Sequence, residues 1–264
     1  MKIGISTASM FSRLNTEDAL KFFAEKKLPV AEVFLESYCE YNKEFGALLK
    51  SVQGGVEVHS IHALTTQFEP QLYSLNERAK ADSFKVLKGV AECGEQVGAK
   101  YYTFHGGARF KKTPFKIDYE RVGKITQQII DTIKPHGISL AYENVHWGYY
   151  NYIGFFREIK ARTSGLKGTL DIKQARQSGI DAFDFIEEMA GDIATVHLSD
   201  VMADGKMCLP NGKGITDFEK LFKSLRDVGF DGSMLIEVYK SDFDEVKELF
   251  DCLDYLNELK DKVF

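Results

Sequence analysis

Eight short runs of β-forming residues recur along the chain, and this rhythm is the feature that most limits its fold. The runs cover residues 2–6, 30–36, 56–63, 100–106, 138–144, 168–172, 194–200 and 234–239. Between them, apolar residues stand three and four positions apart, the spacing of a helix with one buried face. Such stretches occupy residues 16–27, 76–98, 117–137 and 217–229. Three of them end on Gly98, Gly137 or Gly229, and glycine suits the left-handed residue that follows a helix.

Eight strands that alternate with helices predict an α/β fold, the (β/α)8 TIM barrel, as a single domain over residues 1–264. The length would also allow two domains, but barrels of this kind commonly reach about 250 residues as one unit. An open doubly wound sheet is the rival fold. The glycine-rich phosphate-binding turn that would favour its nucleotide-binding form is missing after the first run. We therefore expect a barrel without a linker or a second domain.

Composition and charge narrow the class of protein. Hydrophobic residues make up 44% of the chain and charged residues 28%, as in a globular protein with a large core. A formal net charge of −5 gives no overall attraction for nucleic acid, so a nucleic-acid partner is not expected. The four cysteines form no CxxC pair, and no run reaches the roughly 20 apolar residues that cross a bilayer. We expect a cytoplasmic protein that does not enter membranes, and homo-oligomerisation is left open.

Residue types that bind metals end six consecutive runs. They are His62, His105, Glu143, Asp171, His197 and Glu237. In a TIM barrel the chemistry lies at the C-terminal ends of the strands, so these side chains are candidates for one shared site. Because residues two apart on a strand face the same side, the last four of these side chains can all face inward.

Three carboxylates and an imidazole that converge on one point would disturb one another's protonation, since like charges repel. A divalent cation removes this conflict, and the sequence therefore predicts a metal centre. Its ligands would be Glu143, Asp171, His197 and Glu237. Mostly oxygen ligands with one imidazole suit Mn²⁺, Mg²⁺, Zn²⁺, Co²⁺ or Fe²⁺, and ligand identity alone does not choose among them.

Five short segments give the chain a resemblance to a known group. They are YENV (142–145), LDIKQARQSG (170–179), VHLSD (196–200), LPNGKGITDF (209–218) and LIEV (235–238). In this order they resemble the xylose-isomerase-like TIM-barrel superfamily, which includes sugar phosphate isomerases and epimerases and the zinc AP endonucleases. The resemblance assigns the metal to the same four residues. It also implies that His62 and His105 are similar to histidines that hold another zinc in the endonucleases, so a two-metal centre stays open.

The chain departs from the pattern of this superfamily at several positions. Gln174 stands where the endonucleases, and usually the epimerases, carry a histidine three residues after the sixth-strand aspartate. The Asp-x-His segment that precedes the Gly-x-Gly turn in the endonucleases is replaced by Lys206, Met207 and Cys208. Three ligands of a third zinc are thus absent. An arginine that the epimerases carry shortly after the seventh-strand histidine has no recognisable counterpart.

Metal-assisted proton transfer on a sugar or sugar derivative is the activity that these residues favour. A cation can stabilise the enediolate that forms when a C–H bond beside a carbonyl breaks. Glu143 and Glu237 would flank the substrate, one accepting the proton and the other returning it, as in an epimerase or an aldose–ketose isomerase. The alternative is a dinuclear hydrolase that uses His62 and His105 and acts on phosphodiesters, DNA included. A noncatalytic sugar-binding barrel is a third interpretation, although it would not need both glutamates.

Other residues near the strand ends are candidates for substrate contact. Gln174, Lys173 and Trp147 follow the sixth and fifth runs closely. Trp147 could cover a sugar ring together with nearby tyrosines, or these rings could pack a long loop. The tyrosines are Tyr149, Tyr150 and Tyr152.

Three further interpretations concern residues away from the metal set. Lys111, Lys112 and Lys116 could attract a phosphorylated substrate, but a solvated loop is the expected state. His59 has strand parity opposite to that of His62 and is interpreted as structural. A carboxylate that ends a strand alone would be interpreted as a helix cap or a solvated group.

Overall fold

The computed structural model describes residues 1–64, 67–109 and 116–264. Eight parallel strands form a closed barrel. In chain order the barrel strands are β1 (Lys2–Ser6), β2 (Val30–Leu35), β3 (Glu57–Ala63), β4 (Tyr101–Phe104), β5 (Ser139–Glu143), β6 (Lys167–Asp171), β7 (Ile193–Leu198) and β10 (Ser233–Ile236). Between β7 and β10, two short antiparallel strands, β8 (Asp200–Val201) and β9 (Met207–Cys208), pair with each other outside the barrel. Strand β1 pairs with both β2 and β10 and so closes the barrel. All eight predicted strands are present, and the TIM-barrel prediction is confirmed.

Helices fill the connections between the strands. They are α1 (Thr16–Glu25), α2 (Lys43–Val52), α3 (Glu69–Leu72), α4 (Glu77–Val97), α5 (Tyr119–Ile133), α6 (Phe155–Lys160), α7 (Ile172–Gln177), α8 (Ala182–Glu188), α9 (Phe218–Asp227) and α10 (Lys247–Val263). Each predicted helical stretch contains a helix, and Gly98, Gly137 and Gly229 have φ angles of 74°, 76° and 73°. Among the described residues, no helix has both the length and the apolar character needed to cross a membrane.

The helices cover the barrel with one apolar face each. In α9 the buried residues stand three and four apart, at Phe218, Leu221, Phe222 and Leu225. This spacing places them on one side of the helix, towards the strands. The strands are buried in turn on both faces, as β2 and β7 are along their whole length. A polar side chain inside such a strand is therefore removed from water and needs a partner within the barrel.

Strand β3 contains an irregularity that changes which side chains face the barrel interior. Its register with β2 shifts by one residue at His59. Nε2 of the buried His59 ring lies 3.0 Å from the hydroxyl of Thr195 on β7, a strand that is not a neighbour of β3. His59 and His62 therefore both face the interior. The parity argument that separated them was wrong, because a bulge shifts the in–out alternation by one residue.

An ion-pair cluster lies at the N-terminal end of the barrel, where β3 begins. The carboxylate of Glu57 accepts hydrogen bonds from Nζ of Lys2 and from Nζ of Lys100, each at 2.6 Å. These two contacts lower the pKa of Glu57 from 4.5 to about 2. Because its pKa falls on folding, the ionised carboxylate stabilises the folded chain above about pH 4.5, and this stabilisation is lost as the pH falls towards 2.

We expect Glu57→Gln to reduce the free energy of unfolding by about 1 kcal/mol near neutral pH, allowing for solvent screening of a partly exposed ion pair. At about pH 3 the reduction in the free energy of unfolding caused by Glu57→Gln is expected to shrink to less than half. At that pH the Glu57 carboxyl of the unfolded state is already protonated and that of the folded state begins to be protonated. Urea unfolding of both proteins at the two pH values measures this difference. An equal cost at both pH values would contradict the expectation.

Candidate metal centre and active site

The C-terminal ends of four strands bring three carboxylates and one imidazole together inside the barrel. Glu143 ends β5, Asp171 ends β6, His197 lies near the end of β7, and Glu237 follows β10. Nδ1 of His197 lies 3.2 Å from Oε1 of Glu143 and 3.1 Å from Oε2 of Glu237. The same nitrogen is 3.9 Å from Oδ2 of Asp171. The four residues that the sequence singled out as metal ligands are thus neighbours in the structure.

The donor set of this cluster fits a divalent cation. Ligand atoms stand about 2.0–2.4 Å from such an ion, so two ligands of one ion are separated by about 3–4 Å, and the three distances from Nδ1 of His197 to the carboxylates fall in this range. Glu143, Asp171 and His197 are mutually close enough to hold one ion, and Glu237 shares His197 with Glu32 in an adjoining group. The four side chains are buried, and the most exposed of them, Glu237, is 7% exposed. Within the described part of the chain, Oε2 of Glu237 has no aligned hydrogen bond. A bound cation would satisfy carboxylate oxygens that are otherwise costly to bury.

Burial and the neighbouring charges together determine the protonation of the cluster. Burial opposes the ionisation of Glu143, but the charges and hydrogen bonds of His105 and His197 outweigh it and hold the pKa of Glu143 well below its usual range. Burial also disfavours the charged ring of His197, yet Glu237 and Glu32 raise its pKa well above the usual value. The centre therefore favours positive charge among its carboxylates, which is what a divalent cation supplies.

Asp171 has two roles in the structure. Its Oδ1 accepts a hydrogen bond of 2.8 Å from the backbone N–H of Gln174 and so caps α7. Its Oδ2 faces the centre and lies 3.9 Å from Nζ of Lys173. Burial raises the pKa of Asp171 to about 6, although the charge of Lys173 opposes the rise. The helix-cap interpretation is therefore correct for one oxygen and leaves the other available to the centre.

Asn144, directly after Glu143, fixes the relation between two strand ends. Its side-chain oxygen accepts a hydrogen bond of 2.8 Å from the backbone N–H of Asp171, and its side-chain nitrogen donates to the backbone carbonyl of Asp171 at 2.9 Å. No role for Asn144 was predicted, although it stands beside Glu143 in YENV. Its two hydrogen bonds hold the ends of β5 and β6 together where the carboxylates converge.

A second cluster lies beside the first and shares Glu143 with it. Nε2 of His105 lies 3.1 Å from Nε2 of His62 and 2.9 Å from Oε2 of Glu143. These three side chains are also close enough to hold one ion. Since Oε1 of Glu143 faces His197 and Oε2 faces His105, the carboxylate lies between the two clusters.

Glu69 in α3 supports the loop that carries His105, a role that no sequence pattern indicated. The side chain is completely buried. It accepts hydrogen bonds from the Tyr102 hydroxyl at 2.5 Å and from the backbone N–H groups of His105 and Gly106 at 3.0 and 3.1 Å. Burial raises the pKa of Glu69, although the charge of His105 and the Tyr102 hydrogen bond oppose the rise. Glu69 thus fixes the backbone on which His105 stands.

Glu32, in the middle of β2, is another functional candidate that the strand-end search missed. Its side chain is fully buried and accepts hydrogen bonds from three hydroxyl groups. Burial opposes its ionisation, but the positive charges and hydrogen bonds of His197 and His62 hold the pKa of Glu32 well below its usual range. A glutamate inside the apolar run VAEVFL was the available signal, because a fully buried strand has no solvent-facing side for it.

A cavity of about 230 Å³ borders both clusters. Its lining combines aromatic walls with the candidate ligands: Ala8, Phe11, Phe34, His62, Leu64, His105, Glu143, Trp147, Gln174, Glu237 and Tyr239. Pockets for drug-sized ligands occupy about 300–1,000 Å³, so this cavity suits a smaller molecule. A larger cavity of about 550 Å³ lies between α7, α8 and α9, but none of the six strand-end histidines and carboxylates lines it.

Two of the predicted substrate contacts line the smaller cavity. Trp147 stands beside His105, with 5.4 Å between the ring centroids. Gln174 also lines the cavity, while its side-chain oxygen lies 2.6 Å from Nδ1 of His146 and accepts a hydrogen bond from the His146 backbone N–H at 3.2 Å. Tyr150 is fully buried in the core, so the interpretation of an aromatic wall over a sugar ring does not hold for that residue.

The lysine predictions have different outcomes. Lys173 lies in α7, two residues after Asp171 at the end of β6. Its side chain is buried, and its Nζ stands 4.3 Å from the ring centroid of Tyr239. Burial alone would lower the pKa of Lys173, but the charges of Asp171 and Glu237 outweigh burial and raise it. Lys116 is exposed, as expected of a solvated loop. The remaining two predictions of this group, Lys111 and Lys112, lie outside the described residues.

The family model of the xylose isomerase-like TIM barrel matches residues 18–259. The chain belongs to this family. Among curated protein sequences, none is similar enough to this xylose isomerase-like chain to count as a match.

Solved structures share the xylose isomerase-like fold over nearly the whole chain. A D-tagatose 3-epimerase-like protein has a TM-score of 0.79 and 18% identity, with 99% of each chain covered. D-psicose 3-epimerase from Clostridium cellulolyticum H10, solved with D-tagatose, has a TM-score of 0.79 and 14% identity, covering 100% of this chain and 99% of its own. The IOLI protein, solved with a zinc atom, has a TM-score of 0.77 and 18% identity, with coverages of 100% and 99%. At these identities the likeness shows the shared fold.

Proposed function

We propose that this xylose isomerase-like barrel is a metal-dependent isomerase or epimerase that acts on a small sugar or sugar derivative. The observation that carries the proposal is the placement of Glu143 and Glu237. Both carboxylates line the cavity of about 230 Å³, and both lie within 3.2 Å of Nδ1 of His197. A pair of carboxylates beside one small cavity is the arrangement that proton removal and return require.

The residues proposed to hold the metal are the four at the strand ends: Glu143, Asp171, His197 and Glu237. A divalent cation bound there supplies positive charge that stabilises negative charge on a substrate oxygen. Buried surroundings strengthen such electrostatic effects, because little water is present to screen them. Asn144 and the backbone of α7 keep Asp171 in place through their hydrogen bonds.

Glu143 and Glu237 approach the cavity from different sides, since β6 and β7 stand between β5 and β10 around the barrel. In the proposed reaction one carboxylate accepts the proton from a carbon beside the substrate carbonyl. The electron pair of the broken C–H bond moves to the carbonyl oxygen and gives an enediolate. The other glutamate, protonated at the start of the step, then gives its proton either to the opposite face of the same carbon, which restores the carbonyl, or to the former carbonyl carbon. In the second case the hydroxyl proton of the first carbon passes to the enediolate oxygen, so that the carbonyl forms on the first carbon. The first outcome is epimerisation and the second is aldose–ketose isomerisation.

The named structural neighbours support the choice of substrate class. Two are described as a D-tagatose 3-epimerase-like protein and a D-psicose 3-epimerase, and a third as L-ribulose 3-epimerase. The zinc atom in the IOLI protein supports a metal in a barrel of this shape. We carry a small sugar substrate and a divalent metal from these proteins to the present chain as part of the proposal.

A dinuclear hydrolase is the second candidate function. The cluster of His62, His105 and Glu143 supports it, because these three side chains could hold an ion beside the first. The positions that would complete a third zinc site by resemblance carry Gln174, Lys206 and Cys208 instead of the histidine, aspartate and histidine of the endonuclease pattern. Lys206 and Cys208 belong to the β8–β9 hairpin region, outside the barrel. We therefore rank hydrolysis below proton transfer.

Solvent-isotope exchange distinguishes these activities. We expect protein loaded with Mn²⁺, Co²⁺ or Zn²⁺ to incorporate deuterium from D₂O into a ketose, on the carbon next to the carbonyl, in a panel of ketoses followed by NMR. Exchange is expected to stop when a chelator removes the metal. The same protein is expected to leave abasic-site DNA uncut. Incision by preparations free of other nucleases would favour the hydrolase, and saturable sugar binding without exchange would favour a noncatalytic barrel.

A further inference from the structure

Glu32 lies where it can act on the metal centre without belonging to it. Its Oε1 is 3.1 Å from Nε2 of His197, whereas the three strand-end carboxylates face Nδ1 of the same ring. The two nitrogens of an imidazole point in diverging directions. Glu32 therefore approaches a different nitrogen of the His197 ring from the one that the strand-end carboxylates face, and among the described residues this Nε2 has no aligned hydrogen bond.

We propose that Glu32 is a positioning residue that fixes the orientation and tautomer of His197. A carboxylate accepts hydrogen bonds and donates none, so it favours the ring form with the proton on Nε2. Nδ1 then keeps its lone pair and faces Glu143 and Glu237, where the proposed function places the metal. Histidines that bind metals commonly donate their other N–H to such an acceptor, which sets the ring orientation and strengthens the ligand.

The surroundings of Glu32 hold its carboxylate in place for this task. Ser60 and Thr103 each donate a hydrogen bond of 2.7 Å to Oε2, the oxygen that does not face the histidines. Ser6 donates to Oε1 at 3.0 Å and leaves that oxygen able to accept another bond. These hydroxyl groups come from β3, β4 and β1, so the carboxylate is fixed from three strands.

His62 gives Oε1 of Glu32 a second imidazole neighbour. Nδ1 of His62 is 3.4 Å from that oxygen, and Nε2 of the same ring faces His105. One carboxylate oxygen therefore stands between a histidine of the first cluster and a histidine of the second. The same geometry would let Glu32 orient both rings.

The alternative is that Glu32 is itself a metal ligand, because Glu32, His197 and Glu237 also form a group that could hold an ion. The two roles make different predictions in a double-mutant cycle. A residue that acts through His197 has no effect once that ring is removed. A direct ligand weakens binding whether or not the ring is present.

The test measures Zn²⁺ affinity by competition with a chelator. Glu32→Gln keeps the size and removes the charge, and we expect it to weaken Zn²⁺ binding by about 10- to 100-fold. In a His197→Ala background the same substitution should cause no further loss. Ser60→Ala is the matched control, since it removes one hydrogen bond from the same network but leaves the carboxylate charged. We expect the Zn²⁺ affinity of Ser60→Ala to stay within about threefold of the wild type. If the loss in Glu32→Gln came from indirect disruption of the core, the Zn²⁺ affinity of both variants would fall.

A second measurement needs no substitution at Glu32. In the Zn²⁺-loaded wild-type protein, long-range ¹H–¹⁵N spectra report which ring nitrogen of His197 carries the proton, with the signal assigned by its loss in His197→Gln. We expect the proton on Nε2. A proton on Nδ1, an unchanged Zn²⁺ affinity in Glu32→Gln, or an equal loss in the His197→Ala background would each overturn the proposal. A wild-type protein that binds no Zn²⁺ or other divalent metal would instead overturn the metal centre on which the inference rests.

Discussion

Glu143→Gln and Glu237→Gln are each expected to lower turnover of a confirmed sugar substrate by about 10²- to 10⁴-fold, the usual value of general acid–base catalysis. Glutamine keeps an oxygen that can coordinate a metal but cannot accept a proton at neutral pH. Both side chains line the cavity, and they approach it from strands on different sides of the barrel. Loss of either should therefore stop one of the two proton transfers while most of the fold is retained.

The metal content of the same samples separates catalysis from metal binding. If turnover falls while the metal stays near one equivalent, the loss belongs to proton transfer. Glu57→Gln is the matched control, because Glu57 lies at the N-terminal end of the barrel and contacts only lysines among its described ion-pair partners. Its turnover should equal that of the wild type. If both active-site variants keep the metal and turn over at nearly the wild-type rate, the two-glutamate mechanism is wrong, and Lys173, His62 or His105 becomes the better candidate base.

The barrel could be predicted from sequence because its signal is repeated. Short β-forming runs recur eight times in the sequence, and four of the stretches between them have the spacing of a helix with one apolar face. The strand ends could be identified for the same reason, since a polar residue after an apolar run marks the place where a strand leaves the core. The strand-end positions predict that Glu143, Asp171, His197 and Glu237 converge, and in the structure the three carboxylates lie within hydrogen-bonding or ion-pair distance of the His197 imidazole.

What the sequence did not reveal lies inside strands and in irregular segments. Glu32 was missed because the search considered only the ends of the runs, whereas this glutamate stands in the middle of β2. His59 was placed on the wrong side because a bulge has no marker in the local sequence. Glu69 lies in α3, a helix of four residues that carries no periodic pattern. Each of these depends on contacts between distant segments, which strand parity and periodicity do not report.

Asp171 shows that two competing interpretations of one residue can both describe it. From the sequence, a helix cap and a metal ligand were alternative interpretations of Asp171, but a carboxylate has two oxygens. One accepts the backbone N–H of Gln174, and the other faces His197. The start of α7 directly after β6 is what makes this possible, because the first turn of the helix reaches the strand end. A helix cap of this kind also fixes the direction of the remaining oxygen, which benefits a centre that needs fixed ligands.

His197→Ala is expected to weaken metal binding by more than the roughly 10- to 100-fold that loss of an outer hydrogen-bond partner causes. It removes the nitrogen that lies 3.1 and 3.2 Å from the carboxylates of Glu237 and Glu143. Without the ring, the carboxylates lose both a candidate ligand and the charge that offsets their repulsion. Elemental analysis of purified protein and chelator competition measure the loss.

His59→Ala provides the matched control for removal of a buried ring from the barrel interior. The His59 ring contacts the Ala194 carbonyl and the Thr195 hydroxyl at 3.1 and 3.0 Å, so its loss should leave the metal in place even if stability falls. Equal metal loss in both variants would mean that the core, and not a ligand, had been disturbed. Wild-type protein without near-stoichiometric divalent metal after supplementation would contradict the metal centre itself. Since His197 is the point on which the three carboxylates converge, a selective loss in His197→Ala would place the ion at this imidazole.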